Sequence, residues 1–161
     1  TYESRKKQYI SKCFPSKPPS SYGEHQKWIK SKINNPKYLY KVIYKDREKI
    51  GLCWLENIIK ENNAEFGLYL LRENTYGGEA INVFYKMFSI GFEKYFLKNI
   101  YCETLHSNSL GINLQNSLGM KKVKNIQYNT NQTLLVTCMN KDDFLNIKIK
   151  WLKIMKSVFG K

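Results

Sequence analysis

The amino-acid sequence predicts an α/β (α+β) domain with one mixed, largely antiparallel central sheet flanked by helices. Six short segments carry the β-branched and aromatic residues typical of strands: 38–44, 50–59, 65–71, 100–105, 120–127 and 133–139. The first three segments are separated by turns of a few residues, as are the last two, so these connections make antiparallel hairpins. A helical segment between the third and fourth strands makes a strand–helix–strand unit, whose strands run parallel.

The composition indicates one globular domain. The 161 residues are enough to bury a core, and a hydrophobic share of 42% argues against disorder. No apolar run approaches the roughly 18 residues that cross a bilayer, and no signal peptide is visible, so we expect a cytoplasmic domain spanning 1–161. The chain begins at Thr1 and not at Met, which suggests a fragment or a processed form.

The chain is strongly basic, with 27 Lys and Arg against 13 Asp and Glu and a formal charge of +14. One interpretation is a Lys-rich composition with a solvated surface. The other is an anionic ligand such as a phosphate ester, a nucleotide or a nucleic acid. Because the basic residues are spread along the chain and no nucleic-acid-binding motif is present, we expect no specific nucleic-acid partner.

The cysteine and histidine pattern predicts free thiols and no metal site. Four cysteines occur without CxxC spacing: Cys13, Cys53, Cys102 and Cys138. Three of them lie in apolar strand-like runs, which favours buried, reduced side chains. His25 and His106 are too few and too far apart to suggest a metal centre.

The N-terminal region predicts two helices on either side of a loop. Residues 1–10 are polar and mixed and suit a helix, and 14–21 form a Pro/Ser-rich loop. Ser20 or Ser21 then caps a helix that ends at the Asn-Asn-Pro sequence of 34–36.

Three helices follow along the chain. The segment 78–97 has apolar residues at spacings of three and four: Ile81, Phe84, Tyr85, Phe88, Phe92 and Phe96. A short helix at 109–118 ends at Gly119. The C-terminal segment 141–161 predicts a helix that starts at Asp142 or Asp143, and its apolar stripe suits packing on its own domain, on a partner subunit of a homodimer, or on a membrane surface.

A phosphate-binding loop is predicted between the third strand and the helix at 78–97. Gly77 and Gly78 open that helix and allow close approach of a ligand to the main chain. The free N–H groups and partial positive charge of about +0.5 at a helix N-terminus favour an anion there. A Gly-Gly pair alone is also what a tight strand-to-helix turn needs.

The segment EFGLYLLRENTYGGEA resembles the acyl-CoA motif of the GNAT superfamily of N-acetyltransferases. The family's Q/R-x-x-G-x-G/A loop is matched by Gly78 and Ala80, while Thr75 replaces the leading Gln or Arg. The resemblance implies a splayed central strand pair and acetyl-CoA as acyl donor. It also implies cofactor-binding residues on the motif strand and loop: Tyr69, Leu70, Leu71, Tyr76, Gly77, Gly78, Glu79 and Ala80. A main-chain amide near Tyr69 or Leu70 would stabilise the oxyanion.

A second GNAT motif resembles NSLGINLQNSLGM, which starts at Asn108. The resemblance implies that Asn108 holds the pantetheine arm. Gly111 stands where the family has Ala, and Gln115 stands where it often has Tyr. That Tyr commonly protonates the departing thiolate, which Gln cannot do, so the general acid stays open between another group, such as Ser117, and a water molecule.

The segment SYGEHQKWIKSKI resembles the helix before the sheet in a narrower GNAT branch. That branch includes acetyltransferases of nucleotide-linked aminosugars, as in the pseudaminic acid pathway, and of ribosomal-protein N-termini. The family's first strand should then precede Thr1. The favoured implication is an N-acetyltransferase for a nucleotide-linked aminosugar, an amine-bearing and possibly anionic small molecule. Protein N-termini or small amines, a non-catalytic acyl-CoA-binding module, and a basic nucleic-acid-binding protein are the alternatives.

Five side chains are candidates for proton transfer or acceptor binding. Glu65 is the first candidate for the base, because it lies on the motif strand, although a salt-bridged strand carboxylate explains it equally well. Glu103 on the neighbouring strand is the second. His106 suits a base, a substrate contact or an exposed capping residue. His25 and Trp28 would line the acceptor side, with a plain core position as the alternative for Trp28.

Overall fold

In the computed structural model, which describes residues 2–71 and 78–159, six strands form one sheet in the order β1-β2-β3-β4-β6-β5. The strands are β1 (Leu39–Lys45), β2 (Glu48–Ile59), β3 (Asn63–Leu70), β4 (Asn99–Leu105), β5 (Lys121–Asn129) and β6 (Gln132–Asn140). Only β3 and β4 run parallel, and all other neighbours are antiparallel. The predicted mixed, largely antiparallel sheet is confirmed.

The helices lie before, between and after these strands. They are α1 (Tyr2–Lys6), α2 (Gln8–Ser11), α3 (Tyr22–Lys32), α4 (Gly78–Ser89), α5 (Ser109–Ser117) and α6 (Lys141–Phe159). Ser21 caps α3 by accepting from the Glu24 N–H at 3.1 Å, and the Glu24 carboxylate accepts from the Ser20 N–H in return. This reciprocal cap explains why the helix starts where the sequence predicts.

The central strand pair is splayed, as the family resemblance implies. Strands β3 and β4 pair only over Asn63–Asn99, Ala64–Ile100 and Glu65–Tyr101. Beyond Glu65, β3 continues to Leu70 and β4 to Leu105 without pairing to each other. The backbone groups that face this gap therefore have no partner strand.

The hydrophobic core lies on one face of the sheet, which we call the back face. Phe66 of β3 contacts Phe84 and Phe88 of α4, and Phe88 in turn contacts Phe144 and Trp151 of α6. The C-terminal helix thus packs on its own domain. Within the described residues, no helix combines the length and apolarity needed to cross a membrane.

The N-terminal segment covers part of the opposite face, the front face. Ile10 of α2 is buried in a small cluster with Leu52 and Tyr69, and Phe14 packs against it. This packing brings residues from the first fifth of the chain over the middle of the sheet.

Three predicted helix boundaries are wrong. The first helix breaks at Lys7, whose extended ψ of 128° separates α1 from α2. The helix expected at 78–97 ends at Ser89 and continues only as a π-helical turn, Ile90–Lys94. A Cβ on Gly91 would lie 2.7 Å from Ile100, so glycine lets this turn press onto the sheet. Phe96 therefore leaves the apolar stripe and is exposed.

The C-terminal helix also begins earlier than expected. It starts at Lys141, and the Asn140 side chain accepts from the Asp143 N–H at 2.7 Å. Asn140 therefore serves as the cap in place of Asp142 or Asp143. The positive φ of 80° at Gly119 confirms the predicted end of α5.

The four cysteines are free, as expected. Cys53 and Cys102 are buried, whereas Cys13 and Cys138 are half-buried. In the described part of the chain, no group of three or more His, Cys, Asp or Glu side chains could hold a metal ion.

Candidate active site

A cavity of about 830 Å³, here called the cleft, joins the gap between β3 and β4 to the front face. Leu68, Thr104 and Asn108 line it at the gap. Its front-face end is lined by aromatic rings and by the loop after α2: Phe14, Pro15, Ser16, Lys17, Trp28, Tyr40 and Trp54. A single space thus connects the splayed strands with a ring-lined surface.

The backbone of β3 presents N–H groups to the gap in a fixed alternation. The Leu71 N–H donates to the Ile50 carbonyl at 2.8 Å, so it is turned toward β2. Because successive N–H groups of a strand point to opposite neighbours, the Tyr69 N–H also faces β2, whereas those of Leu68 and Leu70 face the gap. Of the three strand residues expected to bind the cofactor, Leu70 turns its amide toward the gap. Of the two residues with gap-facing amides, Leu68 lines the cleft and Leu70 does not.

The start of α4 is the only part of the expected phosphate loop among the described residues. Gly78 and Ala80 are buried there, and the Glu79 carboxylate forms an ion pair with Lys45 at 2.6 Å. Tyr76 and Gly77 lie outside the described residues. The ion pair offsets the negative charge that Glu79 brings to the helix N-terminus.

Asn108 caps α5 at the rim of the cleft. Its Oδ1 accepts from the Gly111 N–H at 3.0 Å, which leaves the side-chain NH₂ for another partner. A Cβ on Gly111 would lie 2.9 Å from Asn108 Nδ2. The glycine that replaces the family's alanine therefore makes room for the Asn108 amide.

Three carboxylates converge on the front face beside the gap. Glu56 and Glu65 are directly paired across β2 and β3, so their side chains share a face, and Glu103 lies two residues beyond the Tyr101 partner of Glu65. Glu65 accepts a hydrogen bond from Asn57 at 2.9 Å. Glu65 is therefore an amide-bonded carboxylate, and among the described residues it forms no ion pair.

The surroundings of Glu103 raise the pKa of its carboxyl. The residue is exposed overall, but partial burial of the carboxyl raises its pKa, the nearby carboxylates of Glu65 and Glu56 raise it further, and Lys124 acts in the opposite direction. A carboxylate with a raised pKa accepts a proton more readily at neutral pH. Glu103, the second candidate from sequence, therefore has an environment that suits a base.

An aromatic wall extends from these carboxylates toward the N-terminus. The rings of Tyr40 and Phe14 each stack on Trp54, with centroid distances of 6.0 and 6.1 Å. Glu56 accepts from both Tyr40 Oη and Trp54 Nε1 at 3.1 Å. These bonds lock the rings in place as a rigid surface for a ligand.

His25 and Trp28 meet at the edge of this wall, inside the cleft. Their rings stack at 5.6 Å, and Trp28 contacts the Tyr40 ring edge-on at 5.5 Å. Trp28 is 41% exposed, which rules out a plain core position. His25 is buried, and burial lowers the pKa of its imidazole.

His106 lies apart from the other candidates. It is exposed, its Nε2 is 3.1 Å from Asn125 Oδ1 on β5, and it does not line the cleft. Its position beyond the end of β4 matches the exposed alternative considered from sequence.

The amino-acid sequence matches the family model of an acetyltransferase (GNAT) domain over residues 2–121. The chain belongs to the GNAT acetyltransferase family. As a GNAT acetyltransferase it uses acetyl-CoA as acyl donor. No curated protein sequence matches it.

Solved acetyltransferases share the fold. The N-acetyltransferase PseH of Campylobacter jejuni, in complex with acetyl coenzyme A, has 17% identity and a TM-score of 0.65 over 87% of this chain and 86% of its own. Spermidine/spermine N-acetyltransferase SpeG from Vibrio cholerae has 20% identity and a TM-score of 0.70 over 81% of each chain.

Several residues that line the cleft were not among the sequence candidates. Trp54 and Glu56 are two residues apart on β2, so strand periodicity would have predicted that they share a face. Arg5 and Phe14 reach the cleft only through the packing of α1 and α2, for which no local pattern exists. The sequence gives no sign that Thr104 lines the cleft, because the residues around it form an ordinary strand pattern.

Proposed function

We propose that this acetyltransferase transfers the acetyl group directly from acetyl-CoA to a primary amine. The observation that carries the proposal is the cleft, which joins the strand gap to the three front-face carboxylates. An acyl donor lying in the gap and an amine lying on the front face would meet beside Glu103. Bringing the two reactants together in one geometry supplies much of the rate enhancement.

Glu103 is the proposed base. It takes the proton that the amine must lose before or during its attack on the thioester carbonyl. An N–H of β3 that faces the gap, that of Leu68 or that of Leu70, is the proposed donor to the carbonyl oxygen, on which negative charge develops. Glu65 and Glu56 keep the pKa of Glu103 raised and are positioning carboxylates in this scheme.

Binding of the CoA portion is proposed at the two family motifs. The start of α4 at Gly78 and Ala80, with the preceding Tyr76 and Gly77, would hold the pyrophosphate through main-chain amides. The side-chain NH₂ of Asn108, which the α5 cap leaves unused, would bind the pantetheine arm.

A nucleotide-linked aminosugar is the favoured acceptor. Arg5 supports it, because its Nη1 is buried without a hydrogen-bond partner in the described structure, while Nη2 donates to Ser16. The guanidinium stacks on Phe14, 3.7 Å from the ring centroid, at the far end of the aromatic wall. An acceptor with an anionic tail at Arg5 and its amine at Glu103 would match both ends of the cleft.

A cationic small amine is the second candidate. Four carboxylates line the cleft, those of Glu24, Glu56, Glu65 and Glu103, and the structural neighbour SpeG is a spermidine/spermine N-acetyltransferase. A protein N-terminus is the third acceptor class.

A panel assay separates these acceptors. Purified protein with acetyl-CoA is offered a nucleotide-linked aminosugar, spermidine and a ribosomal-protein N-terminal peptide, and free thiol is measured. We expect the highest kcat/KM with the aminosugar, and a rise in its KM in Arg5→Met but not in the exposed control Lys12→Met. Thiol release with spermidine alone supports the cationic amine, and stabilisation by acetyl-CoA without thiol release from any of the three amines would contradict all three acceptor classes.

A further inference from the structure

A chain of three buried side chains runs from β6 to the cleft. Thr137 Oγ1 donates to Gln115 Oε1 at 3.0 Å, and Gln115 Nε2 donates to Thr104 Oγ1 at 2.7 Å. The three residues are 0%, 5% and 7% exposed, in that order. Thr104 and Gln115 line the cleft, whereas Thr137 lies behind them.

The two hydrogen bonds run in one direction, from Thr137 through Gln115 to Thr104. An amide nitrogen only donates, so the Thr104 oxygen acts as an acceptor toward Gln115, and the Thr104 hydrogen is left for another partner. Within residues 2–71 and 78–159, the structure shows no acceptor for that hydrogen. Because Thr104 lines the cleft, its hydroxyl is able to donate to a ligand in the gap.

Thr104 and Glu103 are consecutive residues of β4. Successive side chains of a strand point to opposite faces, so Glu103 lies on the front face and Thr104 on the back face, where α5 contributes Gln115. Both lie beyond Tyr101, where β4 still pairs with β6 but no longer with β3. An acyl group in the gap would have the amine and its base on one side and the Thr104 hydroxyl on the other.

We propose that Thr104 donates a hydrogen bond to the CoA sulfur as the thioester bond breaks, and that Gln115 orients it. The inference rests on the proposed acetyl transfer. In this scheme Gln115, which stands where the family often has Tyr, is a positioning residue that acts through Thr104. Ser117 does not compete for this role, because it is exposed and its hydroxyl donates to the Leu114 carbonyl at 2.8 Å.

The proton balance needs no acid at the sulfur. The amine nitrogen forms a bond to the acetyl carbon, the carbon–sulfur bond breaks, and its electron pair stays on sulfur. The amine proton passes to Glu103 and from there to solvent. Thr104 keeps its proton and stabilises the thiolate by hydrogen bonding, and the released thiolate takes a proton from bulk water.

The test measures the thiol pKa of CoA bound to the full-length chain. The ultraviolet absorbance of the thiolate is titrated with pH for wild type, Thr104→Val, Thr104→Ser and the control Thr133→Val, whose hydroxyl bonds to Gln127 outside the cleft. Valine matches the shape of threonine without its hydroxyl, and serine keeps the hydroxyl. Affinity for desulfo-CoA, which lacks the sulfur, checks that the binding site is intact.

We expect bound CoA to titrate below free CoA in wild type, T104S and T133V, and about one pH unit higher in T104V. Desulfo-CoA affinity should be equal in all four proteins, and kcat should fall about tenfold in T104V but not in the control T133V. An unchanged thiol pKa in T104V overturns the role of Thr104 and leaves acetyl transfer standing. If wild type binds neither CoA nor desulfo-CoA, the proposed function fails and this inference fails with it.

Discussion

The Trp54 indole lies directly against the main chain of Gly67. A Cβ on Gly67 would lie 2.1 Å from Trp54 Cε2 and Cζ2, a distance that no packed structure tolerates. Trp54 and Gly67 are also cross-strand partners in β2 and β3. The absence of a side chain at Gly67 thus lets the indole lie flat and join the aromatic wall of the cleft.

Gly67→Ala should therefore destabilise the fold and disturb the acceptor site. Displacing Trp54 costs about 1–3 kcal/mol of unfolding free energy and breaks its bond to Glu56. Urea denaturation measures the loss, and the KM of the acceptor should rise. Gly23→Ala is the matched control, since a Cβ there meets nothing closer than 3.9 Å, and helix propensity favours it. Equal stability of G67A and G23A would contradict this packing.

Replacing Glu103 and replacing Glu65 should change the pH profile of kcat/KM in different ways. If Glu103 is the base, Glu103→Gln lowers kcat by about 10²–10⁴-fold with little change in CoA affinity. Glu65→Gln removes a charge that raises the pKa of Glu103, so the acid limb should move to lower pH while the plateau is kept. A large loss of turnover in E65Q, with E103Q active, would assign the base to Glu65 instead.

The raised pKa of Glu103 also makes a stability prediction. When the pKa of a carboxyl is higher in the folded state than in the unfolded state, the carboxyl stabilises the folded state least at a pH above both pKa values. Glu103→Gln removes this penalty and should be more stable than wild type at neutral pH. The difference should vanish as the pH falls below the unfolded pKa, where the wild-type carboxyl is protonated in both states. Thermal melts across pH check the trend, and a gain that persists in acid would refute it.

Asn108 is expected to have two separable roles. Asn108→Ala removes the cap of α5 and should cost about 1 kcal/mol of stability, whereas Asn108→Ser keeps a capping oxygen. Both variants lose the side-chain NH₂, so both should bind CoA about tenfold more weakly. Calorimetric titration with CoA measures the affinity. Wild-type affinity in N108S would restrict Asn108 to capping.

Much of this fold follows from local patterns. Strand and helix positions match the apolar periodicity within a few residues, because each element must turn its apolar face to the core. The hairpin between β1 and β2 is an example, since Asp46 and Arg47 both take positive φ in a turn too short for a crossover. Predictions failed at helix ends, where Gly91 and Asn140 act through contacts that periodicity does not reveal.

The candidate site was less predictable. Glu65, Glu103, His25 and Trp28 do line the cleft, because motif strands and the α3 face carry them there. His106 does not, since β4 has ended before it. Nothing in the sequence distinguishes Arg5 from the chain's other basic residues.

The sequence alone determined the order of elements, the hairpins, the parallel unit and the family motifs, all of which depend on residues close together in the chain. The tertiary structure decided how the site is tuned. The pKa of Glu103 depends on Glu56 and Glu65 from two other strands, and the Thr104 hydroxyl accepts from Gln115, which in turn accepts from Thr137. Such effects arise from distances of a few ångströms between residues distant in sequence, which only strand register and helix packing set.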